Sequence, residues 1–553
     1  MIKSAFQRLR LRPAQKFEIK PWGAAIAAIA LTVPFAGKGI HIDDWVYLTG
    51  ARLIESDSLR AFQGETAFFG VLQPRLIQTH PPFFFIYLRL ARLLTGSWDP
   101  LVLHLACVPF TILAATAAYA LAKRWTNRPL VATLLLIGCP AFLTNAHNLM
   151  TDVPSVAFFL AALEAYSRIG ETRSPWARLM APLWTALAFQ TSYQTLFLLP
   201  LLALYTRLFE KRWMDYLQTA VPGLLLLVPT IFLFWRQGGG FHPLTALNWF
   251  GMNPLSDPSR ILNNTVGNLC VLGGATIFPL GLMAGFWKNA PRRTSLFAGA
   301  LLAAALLVAF LIGSYPAGSK MLFALFVTAA LSACLGLGQE ALPAWKKGRA
   351  PEEKFLQAWF WGFLVLATIF LPYGVSRYLL PLLFPWSVLF VRNWGKKGLR
   401  LEAVVAATLL LGVGVAAGDW AAADAPRHLA ELVPPQAPNR YWTDEEAGPR
   451  YYFEERGVRY LLNSGEGLKD GDIVLGRATG RLPDKIKQRL EPAGLWSATT
   501  FWPIRTRSSA LRADFYSSAH YKLGSGFLPY VFSTEPLLLV PLHRYHEADL
   551  RGR

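Results

Sequence analysis

Cysteine is nearly absent from this chain, with four in 553 residues, at Cys107, Cys139, Cys270 and Cys334. All four fall in apolar stretches, without paired spacing and without a nearby histidine. They read as small buried hydrophobes, which excludes a disulfide framework or a cysteine metal centre. Charge is also scarce: 16% of the residues are Asp, Glu, Lys or Arg, and acids are outnumbered 34 to 54. Glycine-rich phosphate loops, HExxH, paired CxxC and G-x-S-x-G motifs are missing, so the standard soluble routes to a nucleotide sugar or ATP are absent. No internal repeat is apparent. The formal charge of +20 raises nucleic acid as a partner. From residue 425 onward, however, acids and bases nearly balance, and no basic helix is interleaved with aromatics, so nucleic-acid binding is set aside.

What is abundant is apolar surface. The chain is 53% hydrophobic, with a mean hydropathy of +0.33. That composition describes a polytopic α-helical membrane protein rather than a soluble domain. Residues 1–21 are basic and polar, with Lys3, Arg8, Arg10, Arg12, Lys16 and Lys20. The apolar run that follows has no A-x-A-like cleavage site, so it reads as an uncleaved signal anchor with a cytoplasmic N-terminus. Further apolar segments lie near 81–95, 100–122, 129–148, 153–168, 177–190, 193–208, 217–235, 265–287, 295–313, 319–338, 355–371, 376–392 and 401–418. Several sit near the lower length limit for a span, so about 11 to 14 transmembrane helices are expected. The basic loops between them read as cytoplasmic. One conflict stands: if 81–95, 100–122 and 129–148 all span, Lys123–Arg128 falls on the wrong side. A partial or interfacial helix at 81–95 removes it.

The organisation expected is a basic N-terminus (1–21), a membrane domain (22–420) with an outer loop at 38–80, and a small α/β domain outside the cytoplasm (425–553). Within the outer loop, the amphipathic stretch 44–75 suits one or two interfacial helices. A second long loop at 237–262, rich in Gly, Pro and Asn, has the character of a mobile lid. In the last domain, Asp472–Gly476 and Pro536–Pro541 read as strands, and Leu482–Leu490 as a helix with Pro483 in its first turn.

Four short constellations carry chemistry. Asp43-Asp44 follows the first apolar segment; carboxylates at a membrane usually face water or a functional site, and one suits a general base. Helix capping by either residue is the plainer reading. His80 precedes Pro81-Pro82, which start the next helix and direct the imidazole, a group able to hold phosphate; a helix-entry turn with a solvated histidine is the plainer reading. Asp152, in Met150-Thr151-Asp152-Val153-Pro154, is either a helix cap or a second carboxylate for the acceptor or a divalent metal ion. Arg377-Tyr378 opens an apolar segment; a guanidinium fork and a phenol together grip a lipid phosphate, although snorkelling to the interface explains an arginine there as well.

In this order the four pieces resemble the multi-spanning C superfamily of polyprenyl-phosphate-sugar-dependent glycosyltransferases, the group of protein O-mannosyltransferases and aminoarabinose transferases of lipid A. The family pattern is an acidic pair after the first span, a [HK]-P-P run, an M-x-x-D-x-P-like segment and a late R-Y-x-x-P. Here these are Asp43-Asp44, His80-Pro81-Pro82, Met150-Thr151-Asp152-Val153-Pro154 and Arg377-Tyr378-Leu379-Leu380-Pro381. The resemblance covers about residues 20–420. It implies an inverting transfer with Asp43 as catalytic base, Asp44 standing where the family usually has Glu. It also implies donor-phosphate contacts from His80, Arg377 and Tyr378, and an acceptor or metal contact from Asp152. The implied partners are a polyprenyl-phosphate sugar donor, membrane lipids, and a lipid, glycan or protein acceptor, at the outer face of a bacterial inner membrane. The rival class is a transporter or flippase of lipid-linked sugars. Transporters commonly carry charges at mid-bilayer and repeat symmetry, whereas here the acids lie at segment ends.

Overall fold

The computed structural model describes residues 21–56, 65–74, 80–171, 175–236, 258–280, 304, 316–344, 350–394, 401–435, 438–476, 482–516 and 526–547. Helices dominate. Helix α1 (Pro21–Thr32) runs into a 3-10 turn at Val33–Phe35, and α2 (Asp44–Ser56) follows. Helix α2 buries Asp44, Trp45, Tyr47, Leu48, Ala51 and Ile54, the 3–4 spacing of one helical face. The described residues in the rest of the expected amphipathic loop differ from a helix. Residues Glu65–Phe68 (β1) and Val71–Pro74 (β2) form an antiparallel hairpin. Its two turn residues, Phe69 and Gly70, have φ of 51° and 78°, the pattern that matches strand twist.

Helix α3 (Phe83–Thr95) has 13 residues and stops at Gly96, whose φ is 72°. At about 1.5 Å per residue it is some 20 Å long, too short to cross a hydrocarbon core of about 30 Å. Helix α4 (Pro100–Trp125), with 26 residues, is long enough. The stretch 129–148 is broken into α5 (Pro129–Ile137) and α6 (Pro140–Asn145), because Pro140 has no N–H to continue the ladder. Then come α7 (Asp152–Arg168), α8 (Pro175–Thr191), α9 (Leu198–Leu208), α10 (Trp213–Phe234), α11 (Pro258–Cys270), α12 (Ala317–Ala344), α13 (Pro351–Ile369), α14 (Leu380–Trp394) and α15 (Leu401–Ala430). Among the described residues, α4, α10, Ala317–Leu337 of α12, and α15 are long and apolar enough to cross a membrane. The loop expected as a lid lies almost wholly outside the described residues.

The described parts of the basic loops around Arg124, Glu171 and Lys211 gather at one end of the bundle. Arg124 meets Glu171 at 2.6 Å, and Lys211 donates to the carbonyls of Ser167 (3.0 Å) and Ile169 (2.6 Å). Arg128 faces Glu402 at 3.8 Å. Arg52, in α2, stacks over Trp98 at the start of α4, so α4 runs from the Asp43 end to this basic end. Helix α3 is thus a partial helix of the kind offered as a way to remove the conflict over Lys123–Arg128. All four cysteines are buried and free.

After α15 a five-stranded sheet forms in the order β4-β3-β5-β11-β6. Its strands are β3 (Tyr441–Thr443), β4 (Arg459–Tyr460), β5 (Ile473–Leu475), β6 (Leu490–Ala498) and β11 (Leu538–Tyr545). Strand β3 is parallel to β4 and β5, and β11 is antiparallel to β5 and β6. Among the described residues between β6 and β11 lie two short antiparallel pairs, β7 (Ile504–Arg505) with β10 (Val531–Phe532) and β8 (Arg507–Ser508) with β9 (Ala513–Asp514). The expected strands appear as β5 and β11, and the helix begun by Pro483 is one turn, Asp484–Lys487. The hairpin β1–β2 docks on this unit: Asn463 donates its N–H to the Gly70 carbonyl at 2.7 Å.

Candidate active site

The two adjacent acids have different environments. Ile42, just before them, has a φ of 46°, a conformation β-branched residues avoid, so the surroundings must hold this turn. The Asp43 side chain is 40% exposed and accepts a hydrogen bond from Arg377 Nη1 at 2.6 Å. Its carboxylate is thus engaged by a cation rather than by the amides of α2. Asp44 is completely buried. Its Oδ1 accepts from the Leu149 N–H (2.8 Å) and its Oδ2 from the His41 N–H (3.0 Å). Burial pushes the Asp44 carboxyl up to about 7, with Lys38 and the two N–H donors pulling the other way. Asp44 therefore stitches its own loop to the loop that precedes Asp152.

Arg377 lies on the 3-10 turn Ser376–Leu379 that leads into α14. Its guanidinium carbon is 5.2 Å from the Tyr378 ring centre, and Tyr378 stacks on Tyr373 at 5.7 Å. Ser376 anchors the turn, accepting from Asn145 and donating to the Phe515 carbonyl, both at 3.2 Å. The arginine is only 10% exposed, so it does not snorkel into solvent.

Asp152 is buried and interacts electrostatically with Arg377 and Asp43. Its neighbour Thr151 occupies the N-cap position without making a side-chain cap, and its hydroxyl meets Tyr47 at 3.1 Å instead. The Tyr47 ring lies 6.0 Å from the His80 ring and stacks on Phe85 at 5.2 Å. Tyr47 thus joins the His80 turn to the Asp152 turn. The four motifs, separated by up to 334 residues, meet at one end of the bundle. Among the described residues no group of three or more His, Cys, Asp or Glu is placed to hold a metal ion. Asp43 and Asp152 supply only two carboxylates, and the Arg377 charge stands with them, which does not fit a metal centre built by these residues.

A second buried cluster supports the first and was not anticipated from sequence. Lys38 bonds both Asn148 and Asp419. Asp419 also accepts from Tyr516 (2.7 Å) and Thr506 (2.8 Å), and His41 Nε2 lies 3.5 Å away. Burial lowers the His41 pKa against the pull of Asp419. The signal available in sequence was weak: one lysine and one aspartate, each at the end of an apolar run with no partner nearby in the chain.

The fold and these motifs define a polytopic helical membrane protein with a carboxylate–arginine site at one end of its bundle. Residues 79–235 match the model of a family described as dolichyl-phosphate-mannose-protein mannosyltransferase. That match takes in His80 and Asp152 and is to a family of the type the motifs resemble; Asp43, Asp44 and Arg377 lie outside it. Among solved structures, the chain is similar to ArnT from Cupriavidus metallidurans in the apo state, at 16% identity and a TM-score of 0.43, covering 82% of this chain and 92% of that one. The same protein bound to undecaprenyl phosphate aligns at 14% identity and 0.42, covering 86% and 95%. The Archaeoglobus fulgidus oligosaccharyltransferase aligns at 13% and 0.42, covering 81% and 61%. No curated protein sequence matches the chain.

Proposed function

We propose that this protein transfers a sugar, with inversion, from a polyprenyl-phosphate donor to a hydroxyl or amine of a lipid, glycan or protein acceptor. The reaction runs at the outer face of a bacterial inner membrane, with the N-terminus cytoplasmic and the domain after residue 425 outside. The observation that carries this reading is the Asp43–Arg377 contact: a half-exposed carboxylate beside a buried arginine, flanked by an aromatic pair. In a soluble setting such a pair is one more ion pair. At the end of an apolar bundle it joins the two groups that transfer from a lipid phosphate requires.

Asp43 is the base. Its Oδ takes the proton of the acceptor O–H or N–H as that atom attacks the anomeric carbon. The bond from the anomeric carbon to the phosphate oxygen breaks, and polyprenyl phosphate leaves with the electron pair. Arg377 has five N–H donors, so it can hold Asp43 and still donate to the departing phosphate. His80 and Tyr378 complete the phosphate side. Asp152, with Thr151 and Tyr47, lines the acceptor side. Asp44 has both oxygens committed to backbone N–H groups and is a positioning residue.

The test compares Asp43→Asn with Asp44→Asn in proteoliposomes supplied with a radiolabelled polyprenyl-phosphate sugar and membrane-extract acceptor. Loss of donor consumption in Asp43→Asn, with unchanged thermal unfolding, is the expected result. Full transfer by a folded Asp43→Asn protein overturns the assignment. Movement of intact donor between leaflets, without cleavage, supports the flippase alternative instead.

A further inference from the structure

Helix α15 carries no Asp, Glu, Lys or Arg between Glu402 and Asp419. It is one of the helices long and apolar enough to cross a membrane, and Leu410 (75% exposed) and Val413 face away from the protein. One turn beyond Leu410 on neighbouring positions of the helix surface, Gly414 and Gly418 make a small-residue groove four residues apart, the spacing that lets a second backbone approach closely. The chain after β6 lies in that groove. Trp502 donates its indole N–H to the Gly414 carbonyl at 2.8 Å. A Cβ added at Gly418 would come within 2.5 Å of the Ile504 carbonyl oxygen. The Ile504 backbone therefore meets α15 one residue inside its uncharged run, and the Trp502 indole reaches about five residues, or roughly 7 Å, inside it.

Phe501, next to that anchor, is 94% exposed, and Phe532, paired in register with Ile504, is 56% exposed. Two large aromatic side chains are thus displayed at a level set by a helix that crosses the bilayer. An aromatic tip in water at such a depth would require the bilayer to be absent there. From this juxtaposition we infer that the Phe501–Trp502 tip of the C-terminal domain is embedded in the leaflet at the Asp43 end, with lipid chains and the headgroup boundary as its partner. Trp420, 42% exposed one residue past Asp419, suits the same interfacial belt. The tip pins the domain to the bilayer by a second point, independent of whether Asp43 is the base.

The test places bimane on Phe501→Cys in the full chain, reconstituted in vesicles of phosphatidylethanolamine and phosphatidylglycerol containing nitroxide-labelled phosphatidylcholine. Asp484→Cys, at an exposed position of the same domain, is the aqueous control. Unsubstituted protein measures any labelling of the four buried cysteines. Nitroxide on the upper acyl chain should quench the Phe501→Cys label at least several-fold more than the control, and iodide should quench it several-fold less. Equal iodide quenching at the two positions overturns the inference. So does quenching by neither agent, which indicates cover by protein. Phe501→Ser, expected to fold, should show weaker nitroxide quenching of a neighbouring Thr500→Cys label; unchanged quenching also counts against embedding.

Discussion

Two carboxylate–cation pairs stand near each other in this protein and differ in almost every other respect. Asp419 and Lys38 are each 1% exposed, and the carboxylate takes further hydrogen bonds from Tyr516 and Thr506. Asp43 is 40% exposed and its side chain is engaged by Arg377. The first pair ties the loop at residue 38, the loop at 148, helix α15 and the C-terminal domain into one buried knot. Removing one partner from such a knot leaves an uncompensated charge. The second pair keeps one carboxylate edge open, so it can accept a proton from an incoming molecule. The difference between a fastener and the proposed base lies in access and in unused bonding capacity, since both use the same functional groups.

The sharpest way to break this contrast is Asp43→Asn. Loss of a general base should lower turnover by about 10²–10⁴-fold, with thermal unfolding in detergent unchanged. Asp419→Asn should do the reverse: about 3–5 kcal/mol of stability lost, seen in thermal or denaturant unfolding, with any activity loss following the unfolded fraction. If Asp419→Asn leaves stability intact, the knot is not the fastener described. Arg377→Lys keeps the charge but loses the fork, and should weaken transfer by roughly 10–100-fold, the equivalent of one charge-assisted hydrogen bond at about 1.5–3 kcal/mol. Gly418→Ala forces the Ile504 backbone away from α15 and should cost about 1–3 kcal/mol, measurable as earlier proteolysis of the C-terminal domain.

The last test is a pH dependence. Asp44 titrates near 7 in the folded protein and near the ordinary carboxylate value when unfolded. Between about pH 4 and 7 the folded chain keeps a proton that the unfolded chain releases, so stability falls as pH rises through that window. Asp44→Asn should remove this slope while costing one of the two backbone bonds. Unfolding temperatures from pH 4 to 8 check it; an unchanged slope shows that another group titrates.

Much of the fold was legible because bilayer insertion leaves a one-dimensional trace. Apolar run length, proline breaks and basic loops predict segments and sides, and the short helix offered as one option at 81–95 appears as α3. The hairpin at Glu65–Pro74 was not legible as such, since a short aromatic run beside a Phe-Gly turn has the same composition as an interfacial helix. Four motifs announced the candidate site because each places an unusual residue at a segment end. Lys38, Asn148, Thr506 and Tyr516 sent no such signal, since polar residues near apolar ones are common and their meaning depends on distant partners.

The sequence alone determined that this is a polytopic helical protein with a small α/β unit after its last span, because solvation by lipid constrains composition locally. It also determined which residues were chemically unusual. Only the tertiary structure divided Asp43 from Asp44. The two are neighbours in the chain with the same side chain, and no local rule separates them. One turns inward to the amides of His41 and Leu149, and the other meets an arginine from 334 positions away. Burial and partner are properties of the packed bundle, and they decide which carboxylate remains open to an acceptor.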